Sequence, residues 1–353
     1  MEPIQSGDYP ILFGDNATDA MLSYISKKGF SKVFILTDSN TEIHCLPIFR
    51  KHFKLGPPEN AFCIPAGENY KNIDTCLQVW KQLSEQGADR QSLLINLGGG
   101  VVTDLGGFVA STYQRGISFI NVPTTLLAMV DASVGGKTGV DLGPLKNQIG
   151  VINNPGLVLI QPGYLDTLDS RQLRSGFAEM LKHGLICDRA YWTSLKGLDS
   201  PEQAPAYIHE SVDLKNQVVL EDPLEGGLRK ILNFGHTLGH AIESYFLDTA
   251  DREPLLHGEA IAAGMILEAF LSVEQSGLAP DECEEIKNVL FEFFPKVSFS
   301  YAERESIIEL LRYDKKNTGG IVRFSLLETI GKACINQEVS AEQLDAAFDY
   351  YKD

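Results

Sequence analysis

Close cysteine pairs, long apolar runs and an excess of basic charge are all missing from this chain of 353 residues. Its six cysteines (Cys45, Cys63, Cys76, Cys187, Cys283 and Cys334) are scattered without a C-x-x-C pair. They read as reduced thiols and small core residues rather than as a metal or redox framework. No stretch approaches the roughly 20 apolar residues of a membrane span, so no membrane association is expected. The start, Met1-Glu2-Pro3-Ile4, has no basic segment leading into an apolar run, so no signal peptide is expected and a cytoplasmic location is. Basic residues number 30 against 47 acidic ones, a net charge of −17. Such a surface repels phosphate backbones, which excludes nucleic acid as a partner. Repeats and low-complexity tracts are also absent. What remains is globular: 44% apolar and 22% charged, with length enough for two cores. An anionic small substrate would need a local basic cluster that overrides the global field.

The first half alternates short apolar runs with helix-length segments. Lys32–Leu36, Ala61–Ile64, Leu93–Leu97 and Ser118–Val122 read as buried strands, with helices over 69–86 and 101–112. Strands alternating with helices imply parallel βαβ units. From about Ser170 the pattern becomes helical, over 171–196, 203–220, 229–247, 257–277, 281–294 and 303–314. One hairpin is expected, Ile321–Leu327 with Ala333–Gln337, joined across Gly331-Lys332. The fold expected is an α/β N-terminal domain, residues 1–168, followed by a mostly α-helical C-terminal domain, residues 169–353.

Three groups of residues carry chemistry. The first is a strand running into Gly98-Gly99-Gly100-Val101-Val102-Thr103-Asp104 and then a helix. Glycines let backbone N–H groups approach a pyrophosphate at a helix N-terminus, although a glycine triplet also serves as a plain tight turn. Asp38, Glu68 with Lys71, and Thr124 with Thr125 fall at other strand ends, where open α/β sheets bind ligands. The second group is Asn233-Phe234-Gly235-His236-Thr237-Leu238-Gly239-His240, with two imidazoles at i and i+4 on one helix face, together with His257 and Glu179. A His₂Glu set leaves an open coordination position and suits a catalytic Zn²⁺ or similar ion. Spacing leaves open which of His236 and His240 ligates, and His183 is an alternative to Glu179. His44, His52 and His209 read as ordinary core or surface histidines. The third group is basic: Lys137, Lys146, Lys182, Lys215, Arg229, Arg115 and the pair Lys315-Lys316, in glycine-rich or mixed-polarity settings. It would suit a substrate with phosphate and carboxylate groups.

These motifs, in this order, resemble the 3-dehydroquinate synthase family of the sugar-phosphate cyclases. The stretches that carry the likeness are Gly98–Asp104, Tyr113–Gly116, Pro123–Lys137, Lys146-Asn147, Gly176–Gly184, Gly227–Glu243, His257–Met265 and Asp314–Lys316. The resemblance implies a Rossmann-like parallel sheet in the first domain. It further implies an NAD-dependent reaction without net redox change, on 3-deoxy-D-arabino-heptulosonate 7-phosphate. The C5 hydroxyl is oxidised, phosphate eliminated, the hydride returned, the ring opened and a carbocycle closed by an aldol step. By resemblance, Glu179, His236 and His257 would hold Zn²⁺ or Co²⁺, and His240 would move protons. Asp131 and Asn147 would handle substrate hydroxyl and phosphate, and Lys137, Arg229 and Asn233 the carboxylate and hydroxyls. Lys146, Lys182, Lys215 and one of Lys315 or Lys316 would be further substrate-side cations. Arg115 would reach the substrate phosphate of a neighbouring subunit, which implies a homodimer. Asp38, Glu68, Lys71, Gly99, Gly100, Val101, Asp104, Thr124, Thr125, Lys137, Lys146 and Thr167 would contact NAD.

Two departures stand out. His236 and His257 are 21 positions apart, longer than the family pattern, with an inserted-looking Asp248–Arg252; and the lysine loop reads Leu142-Gly143-Pro144-Leu145-Lys146-Asn147. Three other readings compete. A cyclase acting on a sugar phosphate without a carboxylate would have no use for Arg229 and Asn233. A polyol dehydrogenase would leave the lysines unpaired, and a binding module would leave the open metal position unexplained.

Overall fold

The computed structural model describes residues 1–14, 17–53, 60–143, 145–249, 251–311 and 322–352. The chain divides into two compact units, the first Met1–Asp169 with Ile208–Asn216, the second Ser170–Tyr207 with Gln217–Asp353.

The first unit is built on a sheet of seven strands: β1 (Ile4–Ser6), β2 (Tyr9–Phe13), β3 (Val33–Asp38), β4 (Asn60–Ile64), β5 (Leu93–Gly98), β6 (Ser118–Pro123) and β9 (Val158–Ile160). Their order is β1-β2-β9-β6-β5-β3-β4, parallel throughout except for the β1–β2 pair. The parallel core appears as the α/β pattern requires, because strands covered on both faces are continuously apolar and every residue of β5 is buried. The N-terminal hairpin and β9 extend the sheet beyond the four runs legible in the sequence; at three to five residues each, they are too short to show a period.

The helix Gly100–Thr112 packs so closely that glycine is required on its inner face. A Cβ at Gly106 would stand 2.0 Å from Asn96 Oδ1 on β5, and one at Gly107 would stand 2.5 Å from Thr138 Cγ2. Thr138 lies in an antiparallel hairpin, β7 (Lys137–Leu142) with β8 (Leu145–Ile152), formed by the segment expected to be a lysine-bearing loop. Gly139 and Gly150 face each other across it, with a Cβ at either one 2.5 Å or less from the opposite backbone. Ile208–Asn216 belongs with this unit and not with the helical one in which the sequence placed it. Ile208 and Val212 are buried, Asn216 Nδ2 donates to Gln5 O (3.1 Å), and His209 stacks on Phe13 (4.8 Å between centroids).

The second unit is helical, with one small sheet. Its core helix, His257–Gln275, is buried from Gly258 to Leu267 without a break. Three expected helices are broken, the run 203–220 becoming a 3₁₀ turn, Pro201–Tyr207, and the helix Ile208–Glu221. The run 171–196 divides into Ser170–Cys187 and Arg189–Lys196, because Asp188 Oδ1 caps the second by accepting from Ala190 N and Tyr191 N. The run 229–247 becomes a 3₁₀ turn, Leu228–Asn233, and the helix His236–Asp248, separated at Gly235 with φ 76°. The expected hairpin forms as β10 (Arg323–Thr329) with β11 (Lys332–Glu338), turning over Ile330-Gly331 one residue earlier than anticipated. Its first expected residue, Ile321, lies outside the described residues. No described helix is long and apolar enough to cross a membrane.

Candidate active site

In the first unit, the glycine turn sits where β5 ends. Gly99 is the N-cap of the helix Gly100–Thr112, and a Cβ there would meet Thr125 Cγ2 at 3.0 Å. Gly100, Val101 and Asp104 follow within its first turns, while Thr124 N donates to Gly98 O (3.0 Å). The helix N-terminus therefore has no side-chain cap, so its N–H groups suit an anionic ligand.

A charged network adjoins it. Buried Lys71 donates to Asp104 Oδ2 (2.7 Å) and Asn147 Oδ1 (2.6 Å), and Lys146 pairs with Glu68 Oε1 (2.7 Å). Burial opposes the Lys71 charge, but Asp104 and Glu68 hold its pKa above the ordinary lysine range. Asp104 is pushed up, chiefly by burial, despite the same ion pair. The two directions conflict, and the 2.7 Å contact within a network of several acids favours a charged pair. Asn147 has φ 51° in the β7–β8 hairpin, held there by Asp141 Oδ1, which accepts its N–H at 2.6 Å.

The remaining residues singled out in this unit are more dispersed. Asp38 ends β3 and spends its carboxylate on capping the helix Ser39–His44, accepting from Asn40 N and Thr41 N. Thr167 donates to Tyr164 O (2.7 Å). Asp131 pairs with Lys215 (2.7 Å), which the helix Ile208–Glu221 supplies. Lys137 opens β7 and is exposed; Arg115 is exposed in a turn with φ 72°.

In the second unit, three helices bring Glu179, His236 and His257 together. Glycines set the approach. A Cβ at Gly264 would lie 2.1 Å from Gly235 O, and one at Gly258 would lie 2.0 Å from Ser175 O. His236 thus stands at the first turn of one helix, His257 at the first turn of a second, and Glu179 in the middle of a third. The Nε2 atoms of His236 and His257 lie 3.4 and 3.3 Å from the same oxygen, Glu179 Oε1. Each imidazole is oriented through its other nitrogen: His236 Nδ1 meets Phe234 O (3.0 Å), and His257 Nδ1 meets Glu243 Oε2 (3.1 Å). Lys182 Nζ pairs with Glu179 Oε2.

The set fits a divalent cation. Ligands about 2.0–2.1 Å from a tetrahedral Zn²⁺ stand roughly 3.3 Å apart, close to the 3.4 and 3.3 Å between each imidazole and Glu179 Oε1. Both Glu179 oxygens are fully buried and face Lys182 and the two imidazoles. Burial opposes the Glu179 charge, yet Lys182 and the two histidines hold its pKa well below the usual carboxylate range. Burial and Lys182 push His236 down to about 4, which keeps it neutral and able to ligate. Burial also acts against the charge on His257, but Glu243 and Glu179 raise it to about 10. A bound cation would supply the positive charge that this proton now provides. The donor atoms of His240 also lie within 4.8 Å of those of His236 and His257, so all three imidazoles form one cluster. Arg229 is buried, donating from Nη1 to Pro223 O (2.8 Å), and Asn233 Nδ2 donates to Glu225 Oε1 (3.1 Å). Lys315 and Lys316 lie outside the described residues.

Residues 61–175 match the 3-dehydroquinate synthase N-terminal family and residues 176–317 its C-terminal family. A 3-dehydroquinate synthase of Parabacteroides distasonis is 41% identical over 336 residues, 94% of each chain. The chain belongs to the 3-dehydroquinate synthase family. A second member, from Campylobacter concisus, is 43% identical over 80% of this chain and 81% of its own. Among solved structures, 2-epi-5-epi-valiolone synthase of Streptomyces hygroscopicus, with NAD⁺ and Zn²⁺ bound, superposes with TM-score 0.85 at 26% identity, covering 100% and 99% of the two chains. A 2-deoxy-scyllo-inosose synthase holding carbaglucose-6-phosphate, NAD⁺ and Co²⁺ gives 0.83 at 25%, covering 99% of each. An iron-containing alcohol dehydrogenase, at 14% identity and TM-score 0.66, shares the fold. This chain is an enzyme of the cyclase type.

Sequence reasoning passed over the supporting carboxylates Asp141, Glu243 and Glu268. Glu243 sits seven residues beyond His236 on the same helix, a spacing that could have flagged it. Glu268 is the only charged residue between Glu259 and Glu274 in an otherwise apolar run.

Proposed function

We propose that this enzyme converts 3-deoxy-D-arabino-heptulosonate 7-phosphate to 3-dehydroquinate and phosphate, in the shikimate route to aromatic amino acids. Family membership supports the reading, and the observation that carries it is the convergence of His236 and His257 on buried Glu179. Those three side chains would hold Zn²⁺ or Co²⁺. The glycine turn (Gly99, Gly100, Val101) with Asp38, Glu68, Lys71, Asp104, Thr124, Thr125, Lys137, Lys146 and Thr167 would hold NAD. When bound, the two groups supply a hydride acceptor and donor for C5 and a Lewis acid for its oxygen.

The protein's own residues do the rest. Arg229, with Lys137 and Asn233, fixes the substrate carboxylate and hydroxyls; a planar guanidinium held in a buried setting is suited to bidentate pairing with a carboxylate. Lys146, Lys182 and Lys215, each ion-paired to a carboxylate (Glu68, Glu179 and Asp131), and one of Lys315 or Lys316 would donate to substrate oxygens, while Asp131 and Asn147 would orient hydroxyl and phosphate. His240 moves the proton, its ring centroid 5.1 Å from that of His236 and 5.7 Å from that of His257. In the proposed homodimer, exposed Arg115 reaches the phosphate bound by the partner subunit. The enzyme would work in the cytoplasm.

A sugar phosphate without a carboxylate would forgo the bidentate pairing with Arg229, which disfavours the other cyclase activities. Turnover should therefore be assayed on the heptulosonate phosphate and on a hexose 6-phosphate. Formation of 3-dehydroquinate with equimolar phosphate from the first alone is expected; turnover of the second alone would overturn the assignment.

A further inference from the structure

The helix His236–Asp248 starts with no side chain to cap it. Its N-cap, Gly235, must be glycine: φ is 76°, and a Cβ would meet Met265 Cγ at 2.4 Å. The first turn is buried, with Phe234, His236, Thr237 and Leu238 all withdrawn from the surface, so its N–H groups need partners within the protein. A carboxylate from another helix takes two of them. Glu268, on the core helix His257–Gln275, accepts from Gly235 N through Oε2 (2.6 Å) and from Leu238 N through Oε1 (3.0 Å). Glu268 is fully buried.

Its position follows from the helix repeat. Ile261, Gly264, Met265 and Glu268 lie at i, i+3, i+4 and i+7, one stripe along one face. Ile261 fills the space over Gly239, Gly264 admits the Gly235 carbonyl, and Met265 lies over Gly235. Glu268 closes the stripe with two charge-assisted bonds. The last of these elements fixes where the helix begins, and His236 is its first residue.

We propose that Glu268 is a positioning residue of the metal centre, setting the register and direction of the helix that presents His236. It touches neither ion nor substrate and acts through the backbone of Gly235 and Leu238. The inference rests on the metal reading above. Its expected consequence is a looser ligand geometry when either bond is lost, of the kind that costs about 10–100-fold in ion affinity when a ligand's supporting partner is removed.

The test uses the full chain, stripped of metal and titrated with Co²⁺, reading both the dissociation constant and the visible ligand-field spectrum. For Glu268→Ala the expected result is about 10–100-fold weaker Co²⁺ binding and a shifted spectrum. Glu268→Gln keeps one carbonyl acceptor and turns an N–H donor toward the other amide, so it should lose affinity by a smaller, measurable factor; it decides the matter if the alanine variant does not fold. Ser272→Ala is the control. It removes a buried hydroxyl one turn along the same helix, which donates to Glu268 O and accepts from Leu327 N, and should leave Co²⁺ affinity and spectrum unchanged. Wild-type affinity and spectrum in the folded Glu268 variants would overturn the proposal. So would an equal loss in Ser272→Ala, which would mean general loosening. If the wild-type chain itself binds no Co²⁺, the metal reading fails, a different outcome from failure of the Glu268 role.

Discussion

The two units assemble their charged residues by opposite means. In the first, lysines and acids already neutralise one another: Lys71 with Asp104 and Lys146 with Glu68, each at 2.7 Å. The backbone adds to them at the uncapped start of Gly100–Thr112, which suits the anionic part of the proposed nucleotide. In the second, the side chains themselves converge, with Lys182 and two imidazoles gathered on the buried Glu179 carboxylate. The first site forms where a strand runs into a helix, the second where three helices meet. Both arrangements join distant parts of the chain: Lys146 and Glu68 are 78 residues apart, Gly258 and Ser175 83.

This contrast can be broken or sharpened by experiment. The largest effect is expected for Glu179→Gln, which removes the shared carboxylate. Activity should fall by more than the roughly 100-fold that loss of a supporting partner costs, with NAD affinity by fluorescence titration within about twofold of wild type. A matching fall in NAD affinity would show the two sites to be one thermodynamic unit. Dialysis against a chelator should likewise abolish turnover and spare NAD binding, with Zn²⁺ or Co²⁺ restoring activity.

Next in size, Arg229→Ala should reduce kcat/KM on the heptulosonate phosphate by about 10–150-fold, the span of a lost charge-assisted hydrogen bond. NAD binding should be untouched, and unchanged turnover would remove Arg229 from the substrate site. Smaller still are two overpacking variants that differ in what they disturb. Gly106→Ala would press a Cβ to 2.0 Å from Asn96 Oδ1, and Gly264→Ala would press one to 2.1 Å from Gly235 O. Each should cost about 1–3 kcal/mol of stability in denaturant melts. The first should weaken NAD binding and the second Co²⁺ binding; the reverse pattern would contradict the division of labour. Least of all, Asp38→Ala should cost about 1 kcal/mol through its cap.

The sequence made the sheet unit more legible than the helical one. Four apolar runs located the parallel core strands, and the triplet at Gly98–Gly100 located the turn between β5 and its helix. The β7–β8 hairpin escaped because its strands carry glycines where two backbones meet and polar residues on both faces, so no alternation marks them. Ile208–Asn216 escaped because its buried face looks the same whichever unit it packs against. On the helical side, the spacing of His236 and His240 showed a shared face but could not show which nitrogen points where. That depends on Phe234 O and Glu243, and a period in the sequence carries no information about such partners.

If the proposed function holds, this chain needs both the site at the glycine turn and the site on the crossing helices for a single reaction. Phosphate release from 3-deoxy-D-arabino-heptulosonate 7-phosphate tests it most directly, measured with NAD⁺ and Zn²⁺ together, with each alone and with neither. Turnover is expected only with both present, with no net accumulation of NADH. Release at the full rate without either one, or NADH accumulating in step with phosphate, would contradict it.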